Sequence, residues 1–322
     1  MKQFVVFLLL VAATVLRAGE MLRLQDSVDA MGTTITVVAY AEDQQKLEQG
    51  VEAAFAEASR LDRMLSNYRP ESEWSRVNRE AAQKPVPVSA ELFALLEVCR
   101  DVNRQSLGTF DISVGPLMKV WGFYRDFGKL PTKAEVAAAL PKIGFGNVVL
   151  DAKNRTVRFL KPGVELDPGG VGKGYAVDMM VEKLKAEGIT AALVSAGSSS
   201  IYGLGAPPND TGWTVKIRHP RHYKETVAEV KLKNESLSTS GDYEKFFEAG
   251  GKMYSHIMDP RTGYPATGVV SDSVVAPRTI TSEVWTKPFF ILGREWASKN
   301  KPEGLRVFLC EDQTKLACAW LQ

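Results

Sequence analysis

The sequence predicts an α+β fold built largely from antiparallel sheets with packed helices. Strand-like runs follow one another with few helices between them, and apolar residues at helical spacing mark only a few long segments. Neighbouring strands without an intervening helix pair antiparallel. Since no linker rich in Pro, Gly or Ser divides the 322 residues, we expect one elaborate domain or two closely packed subdomains.

The predicted elements begin with a hairpin. Residues 21–41 alternate between apolar and polar types, which predicts two strands joined at Met31-Gly32. Apolar residues three and four positions apart predict amphipathic helices over Gln44–Leu65 and Ala90–Gln105. Further helices are predicted at about 172–187 and 281–298. Strands are predicted at 147–151, 155–159, 190–195, 199–205, 212–218, 227–232, 253–258, 269–276, 305–310 and 315–320.

The N-terminal segment is typical of a secretory signal. Lys2 precedes an apolar run, Phe4–Leu16, which is shorter than the roughly 20 residues of a membrane span. We therefore expect a signal peptide over residues 1–18, a folded domain over 19–322, and an exported, periplasmic protein. An uncleaved membrane anchor is the alternative, because Leu16 and Arg17 form a mediocre cleavage site. A lipoprotein is not expected, since no Cys lies near this segment.

Net charge and cysteine spacing exclude some partners and some kinds of site. The formal net charge is +2, and removal of residues 1–18 would take away two basic residues and bring it to 0. Nucleic acid is therefore not an expected partner, because phosphate binding favours a basic excess. Cys99, Cys310 and Cys318 lack metal-ligand spacing and have apolar neighbours, so we interpret them as core residues, with a disulfide among them as the alternative.

The segment from His256 to Pro265 is the densest unusual motif. A predicted strand leads to His256, and a turn built on Asp259-Pro260 and Gly263 follows it. An imidazole at a loop mouth serves as acid, base or phosphate ligand. The alternative is a turn capped by Asp259 beside a histidine with an ordinary structural role.

A second motif is rich in glycine and leads into a predicted helix. Leu166–Gly174 reads LDPGGVGKG. Glycines ahead of a helix let backbone groups approach a diphosphate, and the helix N-terminus supplies favourable charge. The segment is not a Walker A loop, because Asp167 replaces its first glycine and Gly174 replaces the Ser or Thr after Lys173.

Two clusters of small polar residues complete the motifs. One is Ser195-Ala196-Gly197-Ser198-Ser199-Ser200, and the other is Ser238-Thr239-Ser240-Gly241-Asp242-Tyr243. Hydroxyls and backbone amides of such segments bind ligands, although ordinary turns have the same composition.

Taken in order, these segments resemble the ApbE family of FAD:protein FMN transferases. The resemblance runs from Met31-Gly32-Thr33 to the final helix, and its most specific parts are HIMDPRTGYP (256–265) and LDPGGVGKGYAVD (166–178). It also includes LSNYRPESEWSRVN (65–78), GTFDISVGPLMKVWGF (108–123), LVSAG (193–197) and STSGDYEKF (238–246).

The resemblance implies a reaction. FAD binds, Mg²⁺ bridges its diphosphate, and a Thr or Ser hydroxyl of an acceptor protein attacks the FMN phosphorus, so that AMP leaves. The acceptor would carry an Asp-Gly-x-Ser/Thr motif, as subunits of membrane redox complexes do. An exported FAD-binding protein of the same fold, with transfer activity lost or reduced, is the alternative function.

Roles for individual residues follow from the same resemblance. Catalytic roles fall to His256, Lys173 and Asp259. Flavin or nucleotide contacts fall to Met31, Gly32, Thr33, Tyr68, Asp178, Ser195, Gly197, Ser240, Tyr243, His256 and Thr262. The metal would bind the backbone carbonyl of Gly172 and the side chain of Glu283, with Lys287 at the position of the second side-chain ligand.

The sequence departs from the family pattern in three segments. Ser195, Ser198 and Ser199 interrupt the usual Asn-Ala-Gly-Gly-Asp, and Gly172 replaces an Ala. Lys287 is the more serious departure, because an ammonium cannot ligate a cation. We hypothesise that Lys287 occupies part of the metal's place, with a solvent-facing Lys287 as the alternative. A one-residue shift of the alignment would instead place Ser282 and Thr286 at the two ligand positions.

Overall fold

The computed structural model describes residues 21–124, 128–312 and 315–322. The expected signal peptide, residues 1–18, lies outside these ranges. The helices are α1 (Gln44–Leu65), α2 (Glu73–Glu80), α3 (Ala90–Gln105), α4 (Gly115–Val120), α5 (Lys133–Ala139), α6 (Gly172–Ala186) and α7 (Thr279–Asn300). Among the described residues, no helix combines the length and apolar character needed to cross a bilayer.

The strands are short and mostly adjacent in sequence. They are β1 (Leu22–Ala30), β2 (Thr33–Ala41), β3 (Val86–Pro87), β4 (Val148–Asp151), β5 (Thr156–Phe159), β6 (Ala191–Ala196), β7 (Ser200–Leu204), β8 (Trp213–Arg218), β9 (Thr226–Leu232), β10 (Glu235–Gly241), β11 (Phe246–Ala249), β12 (Lys252–Ser255), β13 (Met258–Asp259), β14 (Tyr264–Pro265), β15 (Val269–Ala276), β16 (Arg306–Asp312) and β17 (Leu316–Trp320).

An eight-stranded sheet forms the centre of the molecule. Its strand order is β1-β2-β6-β7-β10-β15-β16-β17, and each neighbouring pair is antiparallel. The α+β prediction is therefore confirmed. The predicted first hairpin is also confirmed, since Ala30 and Thr33 are register partners on either side of Met31-Gly32.

Both faces of this sheet are covered by apolar contacts. Helices α1 and α6 pack Val51 and Val177 against Ile35 and Val194 of β2 and β6. Helix α7 packs beside them on β10 and β15. The β8–β9 ribbon covers the opposite face, where Trp213 joins the core formed by residues of β10, β15 and β16. Strand β15 is consequently buried along its whole length.

A smaller layer lies next to this sheet. Strands β3, β5 and β4 form an antiparallel sheet. Its Phe159 shares an apolar core with Leu92 and Leu96 of α3 and with Phe289 and Phe290 of α7. Helix α7 thus contacts both the large sheet and this layer, so its N-terminal half is held rigidly between them.

The cysteines correct one interpretation. Cys310 and Cys318 are register partners on β16 and β17 and are joined by a disulfide, so the interpretation of all three as unpaired core residues is wrong. A disulfide was the alternative drawn from the sequence. Cys99 is free and buried, as expected of a core residue.

Candidate functional site

The motifs meet at one cavity of about 570 Å³. Its lining includes residues 31–33, 65–68, 109–112, 167–170, 197–200, 238–241 and 256–258, together with Gly172, Lys173, Glu283, Thr286 and Lys287. These segments come from the first hairpin, the end of α1, the loops before α4 and α6, the β6–β7 turn, β10, the end of β12 and α7. The fold therefore assembles residues that are far apart in the sequence around one space large enough for an organic cofactor.

The first hairpin turn forms one wall of the cavity. Met31 and Gly32 both have positive φ, 57° and 69°, as a two-residue hairpin turn requires. The Met31 N–H donates to Asp62 Oδ1 at 2.8 Å, which fixes the turn to α1. A β-carbon on Gly197 would lie 2.6 Å from Thr33 Oγ1, so a glycine is needed where this loop approaches the turn.

The glycine-rich loop delivers Lys173 to the cavity. The Gly169 N–H donates to Asp167 Oδ1 at 2.7 Å, and α6 begins at Gly172 without a side-chain cap from its own N-cap residue. Lys173 Nζ donates to Ser199 Oγ across the cavity. A helix start beside a lysine favours a bound anion.

Glu283 caps α6 from α7. Its Oε2 accepts a hydrogen bond of 2.6 Å from the Gly174 N–H, and its side chain is buried. Ser200 Oγ lies 3.5 Å from Oε1. One carboxylate oxygen is thus already directed at the α6 backbone.

Lys287 lies one helical turn after Glu283 and points into the cavity. Its Nζ donates to the Glu283 carbonyl oxygen at 3.2 Å and to Thr286 Oγ1 at 3.1 Å. A β-carbon on Gly170 would lie 3.5 Å from Lys287 Cε, so the lysine reaches the glycine-rich loop. The alternative of a solvent-facing Lys287 is wrong.

The cavity lining favours one of the two alignments of α7. Glu283 and Lys287 line the cavity, together with Thr286. Ser282 instead faces β10, where its hydroxyl bonds those of Ser236 and Ser238 at 3.0 and 2.7 Å. The unshifted alignment, with Glu283 and Lys287 at the two expected ligand positions, is the one that the geometry supports.

Asp272 is a charged residue that the sequence analysis missed. It lies in the middle of β15, opposite Ser240, and neither carboxylate oxygen completes a hydrogen bond. Burial raises its pKa well above the usual range, while the Lys287 ammonium and the backbone N–H of Ser240 act in the opposite direction. The available signal was an acidic residue inside the apolar run Val269–Ala276.

The pKa of Lys287 is lowered in turn. Burial is the main cause, and the charge of Lys173 adds to it, whereas the carboxylates of Glu283 and Asp272 oppose the shift. Both carboxylates therefore stabilise the ammonium form of this lysine.

His256 lies where β12 ends, with one ring nitrogen engaged. Its Nδ1 is 3.1 Å from the Lys245 carbonyl oxygen, and that oxygen also accepts from the His256 N–H at 2.9 Å. A carbonyl accepts only, so Nδ1 carries the proton and Nε2 keeps a lone pair. Burial lowers the pKa of His256 to about 4. The ring is thus neutral at neutral pH, and Nε2 can accept a proton.

Two stacked tyrosines stand at the cavity mouth. The rings of Tyr68 and Tyr124 stack with centroids 5.2 Å apart, and Tyr68 is 59% exposed. Tyr124 Oη donates to the Asn67 carbonyl oxygen at 2.8 Å. Tyr68 was expected here from the sequence, whereas Tyr124, directly after segment 108–123, was not.

Five expected site residues lie outside the cavity lining. Asp178 Oδ1 accepts from the Thr279 N–H at 2.6 Å and so caps α7. Asp259 binds the Arg261 guanidinium at 2.8 and 2.9 Å. Ser195 lies within β6, Tyr243 packs over Gly241, and Thr262 belongs to the turn after Asp259.

The second Ser-rich cluster is not the turn that its composition suggests. Residues Ser238–Gly241 lie in β10, between β7 and β15. Ser240 Oγ donates to Thr286 Oγ1 at 2.8 Å, so these hydroxyls join the strand to α7. The expected contact from Ser240 would therefore reach a ligand from the cavity floor.

A divalent metal does not fit the side chains at this place. Mg²⁺ requires several oxygen ligands, whereas Lys287 brings an ammonium to the expected second ligand position. Glu283 directs one oxygen to the Gly174 N–H. Throughout the described ranges, no three His, Cys, Asp or Glu side chains gather closely enough to hold a metal ion. Gly172 lines the cavity, but one backbone carbonyl and one half-engaged carboxylate are a poor donor set.

Comparisons with known proteins agree with this architecture. The chain matches the ApbE family over residues 31–309. It is 32% identical over 302 residues to an FAD:protein FMN transferase of Klebsiella pneumoniae, which covers 90% of this chain and 85% of that protein. The corresponding protein of Salmonella typhimurium is 32% identical over 269 residues, covering 81% and 76%. The ApbE protein of Thermotoga maritima superposes with a TM-score of 0.84 at 27% identity, covering 92% and 96%. The chain belongs to the ApbE family.

Proposed function

We propose that this protein is an FAD:protein FMN transferase. The observation that carries the proposal is His256, whose Nδ1 contact with the Lys245 carbonyl leaves the Nε2 lone pair available at the same cavity into which Lys173 and Lys287 bring positive charge. A base for a hydroxyl and cations for a diphosphate are the two requirements of this phosphoryl transfer. Relatives with about a third of their residues in common carry the same activity in their names.

The residues divide the reaction between them. Lys173, Lys287 and the start of α6 hold the FAD diphosphate, and the Met31–Thr33 turn and Tyr68 contact the rest of the nucleotide. The acceptor's Ser or Thr oxygen attacks the FMN phosphorus while its proton passes to His256 Nε2. The bond from that phosphorus to the bridging oxygen breaks, and AMP leaves with that oxygen. Magnesium, which the resemblance implies, has no step in this proposal because the side chains do not fit it.

Asp259 holds a positioning role in this proposal. Its carboxylate binds both the Arg261 backbone N–H and guanidinium, and so shapes the turn that follows His256. Asp178 acts similarly by anchoring the start of α7, the helix that carries Glu283 and Lys287.

The test is a transfer assay with a matched variant. Purified protein, FAD and an acceptor carrying an Asp-Gly-x-Ser/Thr motif should yield AMP and an acceptor heavier by one FMN. His256→Ala should lose at least 100-fold in rate, because general base catalysis contributes about 10²–10⁴. The exposed His222 provides the control, and His222→Ala should transfer at the normal rate. An acceptor with Ala in place of its Ser or Thr should stay unmodified.

A flavin-binding protein without transfer activity is the second candidate. The observation that favours it is Lys287 in place of a metal-ligating oxygen, since an altered diphosphate site can hold FAD and leave the reaction slow. Stoichiometric FAD binding with no AMP release from several acceptors would select this function over the first. Subunits of membrane redox complexes are the acceptors to try first.

We also propose that the protein is exported to the periplasm. The signal-like residues 1–18 and the Cys310–Cys318 disulfide support this, because disulfides persist in oxidising compartments. Cell fractionation followed by intact mass should find the protein outside the cytoplasm, shortened by 18 residues and lighter by two hydrogens. Full-length protein in the membrane fraction would instead favour the anchor.

A further inference from the structure

We propose that the ammonium group of Lys287, balanced by the buried Asp272, supplies the positive charge that a divalent metal would otherwise bring to the FAD diphosphate. The inference rests on the proposed function in one respect, namely that FAD is the ligand. It concerns how this chain binds the diphosphate and predicts that FAD binding needs no metal.

Lys287 is placed where it can contact a ligand in the cavity. Lys287 Nζ lies against the Glu283 carbonyl oxygen and Thr286 Oγ1 at the cavity floor, at the helix position where the resemblance implies an oxygen ligand. An ammonium group has three N–H donors. Two of them are engaged by these acceptors, so the third can donate to a ligand in the cavity. The lysine is therefore placed to donate to an anionic oxygen.

The charged side chains around Lys287 include both signs. Lys173 and Lys287 bring two positive charges to this place, and Glu283 and Asp272 bring two negative charges. Removal of Lys287 would take one positive charge away from a site that faces a ligand with two negative charges. Lys287 thus brings to this place a positive charge of the kind that a metal would supply.

The buried Asp272 is one of these negative charges. A carboxylate with no hydrogen bond to either oxygen, enclosed in the middle of a sheet, is costly to keep. It is the register partner of Ser240, whose hydroxyl bonds Thr286, so its side chain shares the sheet face that α7 covers. Its charge favours the ammonium form of Lys287. No other described side chain forms a hydrogen bond with this carboxylate. We infer that its role is to balance the charge of Lys287.

The experiment measures FAD affinity by quenching of flavin fluorescence, in EDTA and in excess MgCl₂. The unaltered protein should bind FAD with the same Kd within twofold in both buffers. Lys287→Met should weaken FAD binding in EDTA by tenfold or more, while the affinity for riboflavin, which has no phosphate, stays within twofold. Lys233→Met, which removes an exposed lysine distant from the cavity lining, should change neither Kd.

A second variant covers the case in which Lys287→Met fails to fold. Lys287→Thr places an oxygen at the position, so its FAD affinity should fall in EDTA and recover with MgCl₂. A tenfold tightening of FAD binding by MgCl₂ in the unaltered protein would overturn the inference. So would unchanged FAD affinity and metal response in Lys287→Thr. An unaltered protein that binds no FAD in either buffer would instead refute the proposed function.

Discussion

The Gly174 N–H donates to Glu283 Oε2 at 2.6 Å, so the first turn of α6 and the first half of α7 are joined by a buried charged hydrogen bond. The two helices approach closely at this point. A β-carbon on Gly174 would lie 2.6 Å from the Thr279 carbonyl oxygen and 2.8 Å from Glu283 Oε2. This contact sets the position of Glu283 relative to the glycine-rich loop.

Gly174→Ala should therefore destabilise the protein and disturb the cavity. The added methyl meets backbone, which cannot move aside cheaply, so we expect a loss of about 1–3 kcal/mol in the free energy of unfolding by urea titration. Gly146→Ala is the control, because a β-carbon there meets nothing within 4 Å. Its effect should stay within about 0.5 kcal/mol. Equal effects in the two variants would contradict the close approach.

The pH dependence of transfer should show the lowered pKa of His256. A general base must be neutral, and the His256 pKa of about 4 keeps it neutral well below the usual histidine value of 6.5. We expect kcat/KM to stay nearly constant as the pH falls from about 8 to about 5, and to decline below that. An acid limb with its midpoint near pH 6.5 would show that His256 titrates as an ordinary exposed histidine.

The same residue should affect stability in a defined direction. The unfolded chain takes up a proton at His256 below pH 6.5, whereas the folded protein does so only near pH 4. The free energy of unfolding therefore falls as the pH is lowered from 6.5 to about 4. His256→Gln removes the titrating group, so its stability should fall less steeply between these pH values. Urea titrations of both proteins at several pH values measure the difference.

Asp178 should prove to be a structural residue. Its oxygens accept from the N–H groups of Thr279 and Ile280 at 2.6 and 3.2 Å, and the N-cap residue Arg278 provides no side-chain cap. Asp178→Ala should lower the free energy of unfolding by about 1–3 kcal/mol, because two buried donors lose their acceptor. The folded variant should keep its FAD affinity within threefold. A larger loss of affinity would instead favour the nucleotide contact expected from the sequence.

An exposed cap offers the comparison for Asp178. Asp43 caps α1 through the Lys46 N–H at 2.9 Å in an exposed position. Asp43→Ala should cost less, about 0.5–1 kcal/mol, because water satisfies the freed donor. A similar cost for both caps would mean that burial adds little at Asp178.

The long helices and most strands could be predicted because their burial is periodic. Helix α1 buries residues three and four apart along its whole length. Helix α2 was missed because only Trp74 and Val77 of its eight residues are buried, too few to show a period. Strand β10 was missed for another reason: its serine hydroxyls bond α7, so a buried strand has the composition of a polar turn.

The site could be predicted by segment but not by side chain. The motifs locate the cavity because they supply most of its lining. They do not reveal which side chain faces a ligand. Asp178 was expected to contact the nucleotide and Asp259 to be catalytic, whereas their carboxylates bind backbone N–H groups and Arg261. Asp272 was overlooked because the sequence of an apolar strand does not show that its one acidic side chain lies on the face that α7 covers.

A double-mutant cycle should measure the coupling between Asp272 and Lys287. Lys287→Met alone leaves an unbalanced buried carboxylate. Asp272→Val alone removes the negative charge that offsets the cost of burying the ammonium, so each variant should be less stable than the unaltered protein. The combined variant replaces two buried charges by apolar groups, and such replacements are often neutral or stabilising.

We therefore expect the combined variant to be more stable than the sum of the two single effects predicts, by about 1–3 kcal/mol in urea titrations. Asp242, whose partner is Arg221, provides a pairing control, because Asp242→Val combined with Lys287→Met should be additive. Coupling below about 0.5 kcal/mol between Asp272 and Lys287 would show that the two charges are independent, and the carboxylate would then need another explanation.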